Sequence, residues 1–431
     1  MDEQMKRKYN LKLYAIYKMF SWDLLFYFAI ILLFLNQTKG FSIPSILFAD
    51  AFYPLFKVIF QLVCVGIIDY IGKRRALLIG NLFVSASILI LILGNNISDV
   101  FISNLIMAMG FVLKELCEPN ILNISIPDTK SKPDIFSKID SKGSTAYYFL
   151  DAISSLTTGF LFVINGYLPM IFCFAFCLIS TLLSYNFNEI KVSDQKPNSF
   201  KQHSGFKALK LYFKDLKNSF RYIFHSRRLK ALLLFSALFS ALLSLFPTLR
   251  STLLLDLEVP KQYFGIIVAI GQITSGISTK KHAWFHKTFK NRTLTWFAFP
   301  IVFSLIFSGI AVVCNLNIYI IGIVVGIMII FISIIKGPYA TLIKRYFNSF
   351  STPTLSTKIY AAKSIVDSLM RILVFLLASF LFEITNTSYS LIILGCLLTL
   401  IFIFLLDYMK SRVGLKPEEY DKKDIEFKIL N

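Results

Sequence analysis

The sequence alternates long apolar stretches with short polar connections over most of its length. A transmembrane helix needs about 20 apolar residues to cross the hydrocarbon core of a bilayer, and twelve stretches approach or exceed that length. The eighth is short and only weakly apolar. The pattern predicts an all-α membrane protein with these spans, in chain order: Tyr17–Asn36, Pro44–Ile68, Ala76–Leu93, Val100–Leu122, Ser144–Ile164, Tyr167–Tyr185, Leu232–Leu254, Gln262–Ser278, Leu294–Cys314, Ile318–Ile343, Ile359–Ile384 and Tyr389–Leu406.

The composition narrows the class further. Of 431 residues, 56% are hydrophobic and only 16% are charged, whereas a soluble domain usually carries about a quarter charged residues. This balance excludes a soluble domain, a disordered chain and a collagen-like repeat. The six cysteines all fall in apolar stretches, which argues against a disulfide framework. The first apolar stretch is too long for a cleavable signal peptide, so we expect none.

Basic residues determine the predicted orientation. The formal net charge is +20, and the Lys and Arg residues gather in the two termini, the central segment and the connections on one side. The connections on the other side are nearly free of them, with Lys39 and Lys261 as the main exceptions. By the positive-inside rule, both termini and the central segment are predicted to be cytoplasmic in a plasma membrane. The charge then indicates contact with anionic membrane lipids, and no nucleic-acid partner is expected.

A long polar segment divides the spans into two sets of six. We predict an N-terminal bundle over 1–187, a cytoplasmic linker over 188–231, and a C-terminal bundle with a cytoplasmic tail over 232–431. From Leu209 to Ile223, apolar residues recur every three or four positions among lysines. This spacing predicts a basic amphipathic helix at the membrane interface, and a partner-binding helix is the alternative.

Four pairs of residues recur in order at a nearly constant spacing, which predicts an internal duplication. The members of each pair lie 216 to 219 positions apart. Two related bundles joined by a linker are suited to alternating access around a site near the bilayer midplane. The pairs are Pro44 with Pro260, Arg75 with Arg292, Pro119 with Pro338, and Asp151 with Asp367.

Ionisable residues inside the predicted spans are the candidate functional residues. They are costly in hydrocarbon and therefore mark helix faces that point to the protein interior. Spans three, six, nine and twelve contain none, so we predict that these four face lipid and that spans one, four, seven and ten line a cavity. The acidic candidates are Asp23, Asp50, Glu115, Glu118, Asp151 and Asp367, and the basic candidates are Lys57, Lys114, Lys336 and Arg371.

These charges support two interpretations, and the sequence leaves both open. Opposite charges in the two bundles would form salt bridges that close the cytoplasmic side. Alternatively, one buried carboxylate takes up and releases a proton during transport, with Asp151, Glu118 and Asp367 as the leading candidates. Lys57 lies near the middle of the second span and needs an anionic partner or substrate, because Asp50 is too far along the same helix for direct contact.

The connection after the second span resembles the signature loop of the major facilitator superfamily, which typically reads Gly-x-x-x-Asp-Arg-x-Gly-Arg-Arg. Asp69, Gly72, Lys73 and Arg74 stand at the matching spacing. Tyr70 replaces the usual first basic residue, and the leading glycine is displaced by one position. The resemblance implies twelve helices in two pseudo-symmetric six-helix bundles, and a secondary transporter in which the acidic residue and the basic pair help to close the cytoplasmic side.

A second stretch is similar to exporter-like members of the same superfamily. It runs from Gly110 through Glu118, Pro119 and Asn120 to Lys138. The arginine-centred motif that such exporters carry early in this helix is absent, and Asn104 lies nearby instead. The resemblance therefore implies an exporter-like protein that lacks one part of the usual drug–proton antiport motif.

Sequence motifs for other chemistry are absent. The chain has no Walker loop, no HExxH zinc motif and no GxSxG elbow. The Cys173–Cys177 and His282–His286 pairs lack further ligands nearby, so we expect no metal, no cofactor and no enzymatic activity. Without an ATP site, uphill transport must use an ion gradient. A membrane-embedded enzyme and a transporter-like sensor remain alternatives.

Together these features predict a monomeric secondary transporter that exports a small amphipathic molecule by coupling to protons. The abundance of Lys, Ile, Phe and Asn is typical of a bacterial protein. The alternative is a carrier of an organic anion, which the intramembrane lysines and Arg371 would favour. Aromatic residues suited to an amphipathic substrate are Phe26, Tyr27, Phe28, Tyr147, Tyr148 and Phe246.

Overall fold

The computed structural model describes residues 3–127, 132–190, 221, 224, 227–289, 293–314, 317–349 and 353–413. The amphipathic helix predicted in the linker lies outside these residues, apart from Arg221. The described residues are helical almost throughout, and ten of their helices are long and apolar enough to cross a membrane. With the two further crossings described below, the chain has the twelve-helix, two-bundle membrane fold that the sequence predicts.

The helices follow the predicted spans closely. They are α1 (Glu3–Ser21), α2 (Ile31–Leu33, continued by a π-helix over Phe34–Thr38), α3 (Ile43–Ile71), α4 (Lys73–Leu93), α5 (Ile97–Ser125), α6 (Lys132–Ile164), α7 (Leu168–Tyr185), α8 (Arg227–Asp256), α9 (Lys261–Lys280), α10 (His282–Phe289), α11 (Thr293–Val313), α12 (Ile318–Ser349), α13 (Pro353–Ile384) and α14 (Thr387–Val413).

Two predicted spans do not reach the apolarity of the other ten. The eighth, predicted over Gln262–Ser278, is helix α9, whose polar residues include Gln272 and Thr274. The first span was predicted as one continuous helix over Tyr17–Asn36, and this prediction is wrong. Helix α1 ends at Ser21, residues 22–30 are not helical, and a short α-helix and a π-helix follow.

Local hydrogen bonds explain why the first span is interrupted. The carboxylate of Asp23 accepts a hydrogen bond from the backbone N–H of Leu24 at 2.9 Å, and short polar side chains that bind nearby backbone groups compete with helix formation. Phe26 has φ of 63°, which is rare for a bulky residue. Its ring packs between those of Phe172 and Phe176, so contacts with α7 hold the residue in this conformation.

A single glycine separates α3 from α4. Gly72 has φ of 86° and ψ of 154°, a region that is essentially restricted to glycine. Its N–H donates to the carbonyl of Ile68, and its own carbonyl accepts from the N–H of Ala76. The glycine therefore ends one helix and begins the next within one residue.

Contacts divide the chain into two compact units. The first comprises Met1–Tyr212 with Pro260–Ala269, and the second comprises Phe213–Val259 with Ile270–Asn431. In the first unit, α5 packs on α3 and α4, α4 on α7, and α1 on α6. A core of buried side chains from α1, α3, α4 and α5 includes Tyr17, Leu77 and Leu113. In the second unit, α8 packs on α13 and α14, and α11 on α12 and α14.

The four helices predicted to face lipid all have exposed apolar side chains. Examples are Leu89 on α4, Leu182 on α7, Phe307 on α11 and Phe404 on α14. Since other helices also expose apolar residues, such as Phe380 on α13, exposure alone does not single out these four. Their contact with lipid stays a prediction.

Three of the four residue pairs that suggest a duplication occupy matching places in the two halves, whereas Arg292 of the fourth pair lies outside the described residues. Pro44 lies in the first turn of α3 and Pro260 immediately precedes α9. Pro119 and Pro338 lie inside α5 and α12. Asp151 and Asp367 lie inside α6 and α13. These three pairs therefore follow one another along the same succession of helices in each half, and the duplication itself stays a prediction.

Replacing Gly72 with alanine is expected to destabilise the protein by about 1–3 kcal/mol, because a side chain is strained in this backbone conformation. The apparent unfolding temperature of the purified protein in detergent measures the effect. Gly322→Ala is the matched control, since nothing lies within 4 Å of the added methyl group and its backbone is helical. Equal unfolding temperatures for the two variants would contradict this account.

Candidate functional site

The interruption of the first span places polar groups inside the first unit. Asp23 lies in the non-helical residues, close enough to interact electrostatically with Tyr147 and Tyr148. Both tyrosines lie on α6 within the membrane-crossing part Lys142–Ile164. The interruption is therefore at membrane depth, where irregular backbone is tolerated only inside protein or along a water-filled cavity.

Three carboxylates and four tyrosines gather around the interruption, and we call them the carboxylate–tyrosine cluster. Asp23 and Asp50 both interact electrostatically with Tyr27, and Asp151 interacts with Tyr147. The rings of Tyr147 and Tyr148 lie 5.7 Å apart between centroids. The members are Asp23, Tyr27, Asp50, Tyr53, Tyr147, Tyr148 and Asp151, contributed by the interrupted span, α3 and α6.

The carboxylates of this cluster are largely removed from the surface. Asp151 is only 5% exposed, and the hydroxyl of Ser154 donates to its backbone carbonyl at 3.0 Å. Asp50 accepts a hydrogen bond from the amide of Asn104 at 3.3 Å. The sequence therefore selected three acidic candidates, Asp23, Asp50 and Asp151, that the structure brings to one region.

Glu118 belongs to a separate polar network at the end of α1. Its carboxylate accepts hydrogen bonds from the hydroxyls of Tyr17 at 2.7 Å and Ser21 at 3.1 Å. The phenol oxygen of Tyr17 also accepts from the amide of Asn81 at 3.0 Å. These contacts join α1, α4 and α5, so Glu118 is engaged in holding helices of the first unit together.

Lys114 satisfies the backbone where α1 stops. Its ammonium group is buried, with the residue 4% exposed, and donates to the carbonyl of Ser21 at 2.7 Å. A cation at a helix C-terminus also interacts favourably with the helix dipole. The same helix end is fixed by an ion pair between Lys18 and Asp140, with the Lys18 ammonium over the ring of Trp22.

Lys57 has an anionic partner that the sequence did not indicate. Its ammonium group lies 2.6 Å from the carboxylate of Glu115, and this ion pair joins α3 to α5. The side chain of Glu115 is 50% exposed, whereas that of Lys57 is 16% exposed. The two residues were separate candidates in the sequence, and helix packing brings them together.

The motif residues of the loop after α3 have local structural roles. Arg74 donates to the carbonyl of Tyr185, the last residue of α7, at 2.7 Å, and its guanidinium lies 5.5 Å from the ring of that residue. This contact ties α4 to the end of α7. Lys73 is partly buried at the start of α4, and the side chain of Asp69 lies outside what the structure describes. A gating role for the motif stays a prediction.

In the second unit, the charged candidates Asp367 and Arg371 lie along α13. Lys363 and Asp367 form an ion pair one turn apart, and Arg371 lies one turn further on. One carboxylate oxygen of Asp367 and the Nε of Arg371 are buried without a hydrogen-bond partner among the described residues. Tyr339 of α12 lies within electrostatic range of both and donates to the carbonyl of Ser236 at 3.0 Å.

Lys336 and the cysteines complete the set of candidates. Lys336 is exposed on α12, one turn before Tyr339. Among the described residues, no group of three or more His, Cys, Asp or Glu side chains is arranged to hold a metal ion. Cys173 and Cys177 are buried free thiols on α7, where Cys173 lies within electrostatic range of Asp23.

Several polar residues of these sites were not selected from the sequence. Tyr17, Asn81 and Asp140 take part in the network around the end of α1, and Tyr53 belongs to the carboxylate–tyrosine cluster. Tyr17, Tyr53 and Asn81 are polar residues within apolar stretches. A polar residue in such a stretch could have indicated a contact inside the protein. Asp140 lies outside the predicted fifth span, in the part of α6 that precedes it.

Comparison with solved structures shows a shared fold. The nucleoside transporter NupG aligns with a TM-score of 0.70 at 13% identity, over 95% of this chain and 100% of that chain. A D-xylose-proton symporter aligns at 0.64 and 13%, over 98% and 99%. The peptide transporter POT in complex with alafosfalin aligns at 0.68 and 14%, over 96% and 99%. The chain matches no protein-family model and no curated sequence.

At these identities the likeness establishes the fold alone. The chain therefore shares the twelve-helix, two-bundle fold of these transporters, which is the arrangement that the resemblance of the loop after α3 implied. The match extends over almost the whole of each chain, which includes both bundles. A multi-pass membrane protein with this fold is therefore established, whereas the exporter-like character remains a prediction.

Replacing Lys114 with methionine is expected to destabilise the protein by about 1–3 kcal/mol, the cost of leaving a buried acceptor without its donor. The lost partner is the Ser21 carbonyl at the end of α1. Thermal unfolding in detergent measures the change, with Lys8→Met as a control because Lys8 is exposed near the start of the same helix. An equal effect of the two substitutions would show that Lys114 does not cap α1.

Proposed function

We propose that the protein is a secondary transporter that moves a small amphipathic molecule across a bacterial plasma membrane by alternating access. The observation that carries the proposal is the interrupted first span with the carboxylate–tyrosine cluster around it. Discontinuous membrane helices are typical of substrate and ion sites in transporters. We assign no catalytic step and no cofactor to the chain.

The chemistry of the cluster supports both substrate binding and proton coupling. Tyrosine rings offer apolar faces and hydroxyl groups, which suit a molecule with apolar and polar parts. Carboxylates at membrane depth are typical of proton relays in transporters. We assign the proton-carrying role to Asp151, because it is the most buried acidic residue of the cluster.

We further propose that transport runs outward in exchange for protons, with both chain termini in the cytoplasm and the monomer as the functional unit. The similarity of the α5 region to exporter-like proteins supports the direction. The positive connections support the orientation. A D-xylose-proton symporter has the same fold. Transport of the substrate in the same direction as the proton is therefore the alternative to test.

The first experiment identifies the substrate. Purified protein is screened by thermal shift against nucleosides, sugars, dipeptides, amphipathic amines and aromatic anions, since a ligand that binds the folded state raises the unfolding temperature. The best ligand is then followed in proteoliposomes under an imposed pH gradient. Two outcomes would overturn the proposal. One is accumulation of the ligand that persists after an ionophore collapses the pH gradient, and the other is that no ligand that binds is transported.

Asp151→Asn is expected to keep the thermal shift of the ligand and to lose gradient-driven transport, because the amide cannot carry the proton. Transport in proteoliposomes with and without the pH gradient checks this outcome. The matched control is Asp407→Asn, which removes an exposed carboxylate near the end of α14 and should leave transport unchanged. Full gradient-driven transport by Asp151→Asn would remove this residue from the proton-coupling role.

A carrier of organic anions is the second candidate, and α13 provides the observation that favours it. The Nε of Arg371 is buried and lacks a hydrogen-bond partner among the described residues. An arginine in this state can bind a carboxylate or phosphate group by donating hydrogen bonds to it. Under this alternative, Arg371→Gln abolishes binding of aromatic anions in the thermal-shift screen. Under the main proposal, the same variant keeps the binding of amphipathic amines.

A further inference from the structure

The short helix α10 has an aromatic face that the transport proposal does not use. Helix α10 covers eight residues between α9 and α11, so it is about 12 Å long at 1.5 Å per residue and far too short to cross a bilayer. It joins two membrane crossings and must therefore lie at a membrane surface. Its sequence, HAWFHKTF, combines large aromatic and basic residues.

Aromatic contacts fix α10 to the start of α11. The ring of Phe285 lies 5.8 Å from that of Phe297, which is 1% exposed. The ring of Phe289 lies 5.2 Å from that of Trp296 and 6.1 Å from that of Trp284. We call Trp284, Phe285, Phe289 and Trp296 the aromatic platform. Phe297 anchors it in the second unit, so the platform has a defined position.

The outer part of the aromatic platform is unusually exposed. Trp284 and Trp296 are each 54% exposed, although indole rings are among the most costly side chains to leave in water. Trp284 and Thr288 are exposed on α10, and their spacing of four residues places them on one helix face. Lys281, which immediately precedes the helix, is also exposed. An exposed indole ring therefore lies on a helix that begins directly after an exposed positive charge.

The charge around the platform is of one sign. Over positions 280–292 the sequence contains Lys280, Lys281, Lys287, Lys290 and Arg292, and it contains no Asp or Glu. Tryptophan prefers the interface between acyl chains and headgroups. Basic residues beside such a ring are attracted to anionic headgroups, with about a fivefold gain in binding for each residue near the surface.

We infer that α10 is an interfacial helix that binds anionic phospholipid headgroups of the bilayer, with Trp284 and Trp296 inserted among the lipids, the exposed Lys281 paired with a phosphate group, and the other basic residues of 280–292 adding to the positive charge of the segment. The uniform positive charge favours anionic lipids, because zwitterionic headgroups carry no net charge to attract it. The exposed rings decide the depth, since they gain from contact with the acyl-chain boundary. This inference depends on the membrane fold and is independent of the proposed transport activity.

The experiment uses the full chain with Trp284 as the single tryptophan. Trp22→Phe and Trp296→Phe remove the other two tryptophans and keep aromatic rings at both positions. The protein is reconstituted into vesicles of phosphatidylcholine with or without phosphatidylglycerol, and each lipid in turn carries brominated acyl chains. Fluorescence quenching then reports which lipid contacts Trp284.

We expect brominated phosphatidylglycerol to quench Trp284 more strongly than brominated phosphatidylcholine at the same mole fraction. Lys281→Gln with Lys287→Gln should reduce this preference, by about fivefold for each lysine removed. Lys281→Arg with Lys287→Arg should keep it, because the charge is unchanged. Lys8→Gln with Lys12→Gln is the matched control, since it removes the same charge from exposed positions of α1.

Three outcomes would overturn the inference. Equal quenching by the two brominated lipids would show that α10 has no preference for anionic headgroups. Absence of quenching by either lipid would show that Trp284 faces water or protein. An unchanged preference in the Lys→Gln pair would show that these lysines do not contact the headgroups. The preference is measured in the protein with both lysines intact, so it can be judged even if the Lys→Gln pair fails to fold.

Discussion

A backbone carbonyl without a hydrogen-bond partner costs several kcal/mol in a membrane interior, and this constraint organises the first unit. The first span stops being helical at Ser21, so the last carbonyls of α1 lose their partners within the helix. Lys114 supplies one donor from α5. The end of the helix therefore accounts for a lysine buried at this position, because the ammonium group satisfies a carbonyl that the helix leaves without a partner.

The same requirement explains the neighbouring polar residues. A buried ammonium group needs compensating negative charge, and Glu118 lies within electrostatic range of Lys114. The carboxylate is in turn satisfied by Tyr17 and Ser21. The network thus keeps the non-helical residues after Ser21 in place, and these residues include Asp23 of the carboxylate–tyrosine cluster. The carboxylate–tyrosine cluster is therefore supported by a structural network that lies beside it.

Much of the architecture was predictable because hydropathy is a local property of the chain. Ten of the predicted spans coincide with long apolar helices, and Gly72 occupies a backbone conformation consistent with the glycine of the signature loop. The continuity of the first span was predicted wrongly. Its apolar composition favours a helix. The interruption combines a local hydrogen bond of Asp23 with contacts to Lys114 and to the rings of α7, which lie far away in the sequence.

The pairing of the charged candidates also depends on contacts between residues that are distant in the sequence. The sequence indicated that Lys57 requires an anionic partner, and it offered no means to choose Glu115, which lies 58 positions away on another helix. The chain by itself determined which segments enter the membrane, since transfer into hydrocarbon depends on the composition of each segment. Only the tertiary structure decided which charges meet and where a helix breaks, because those outcomes depend on hydrogen bonds between helices that no single segment contains.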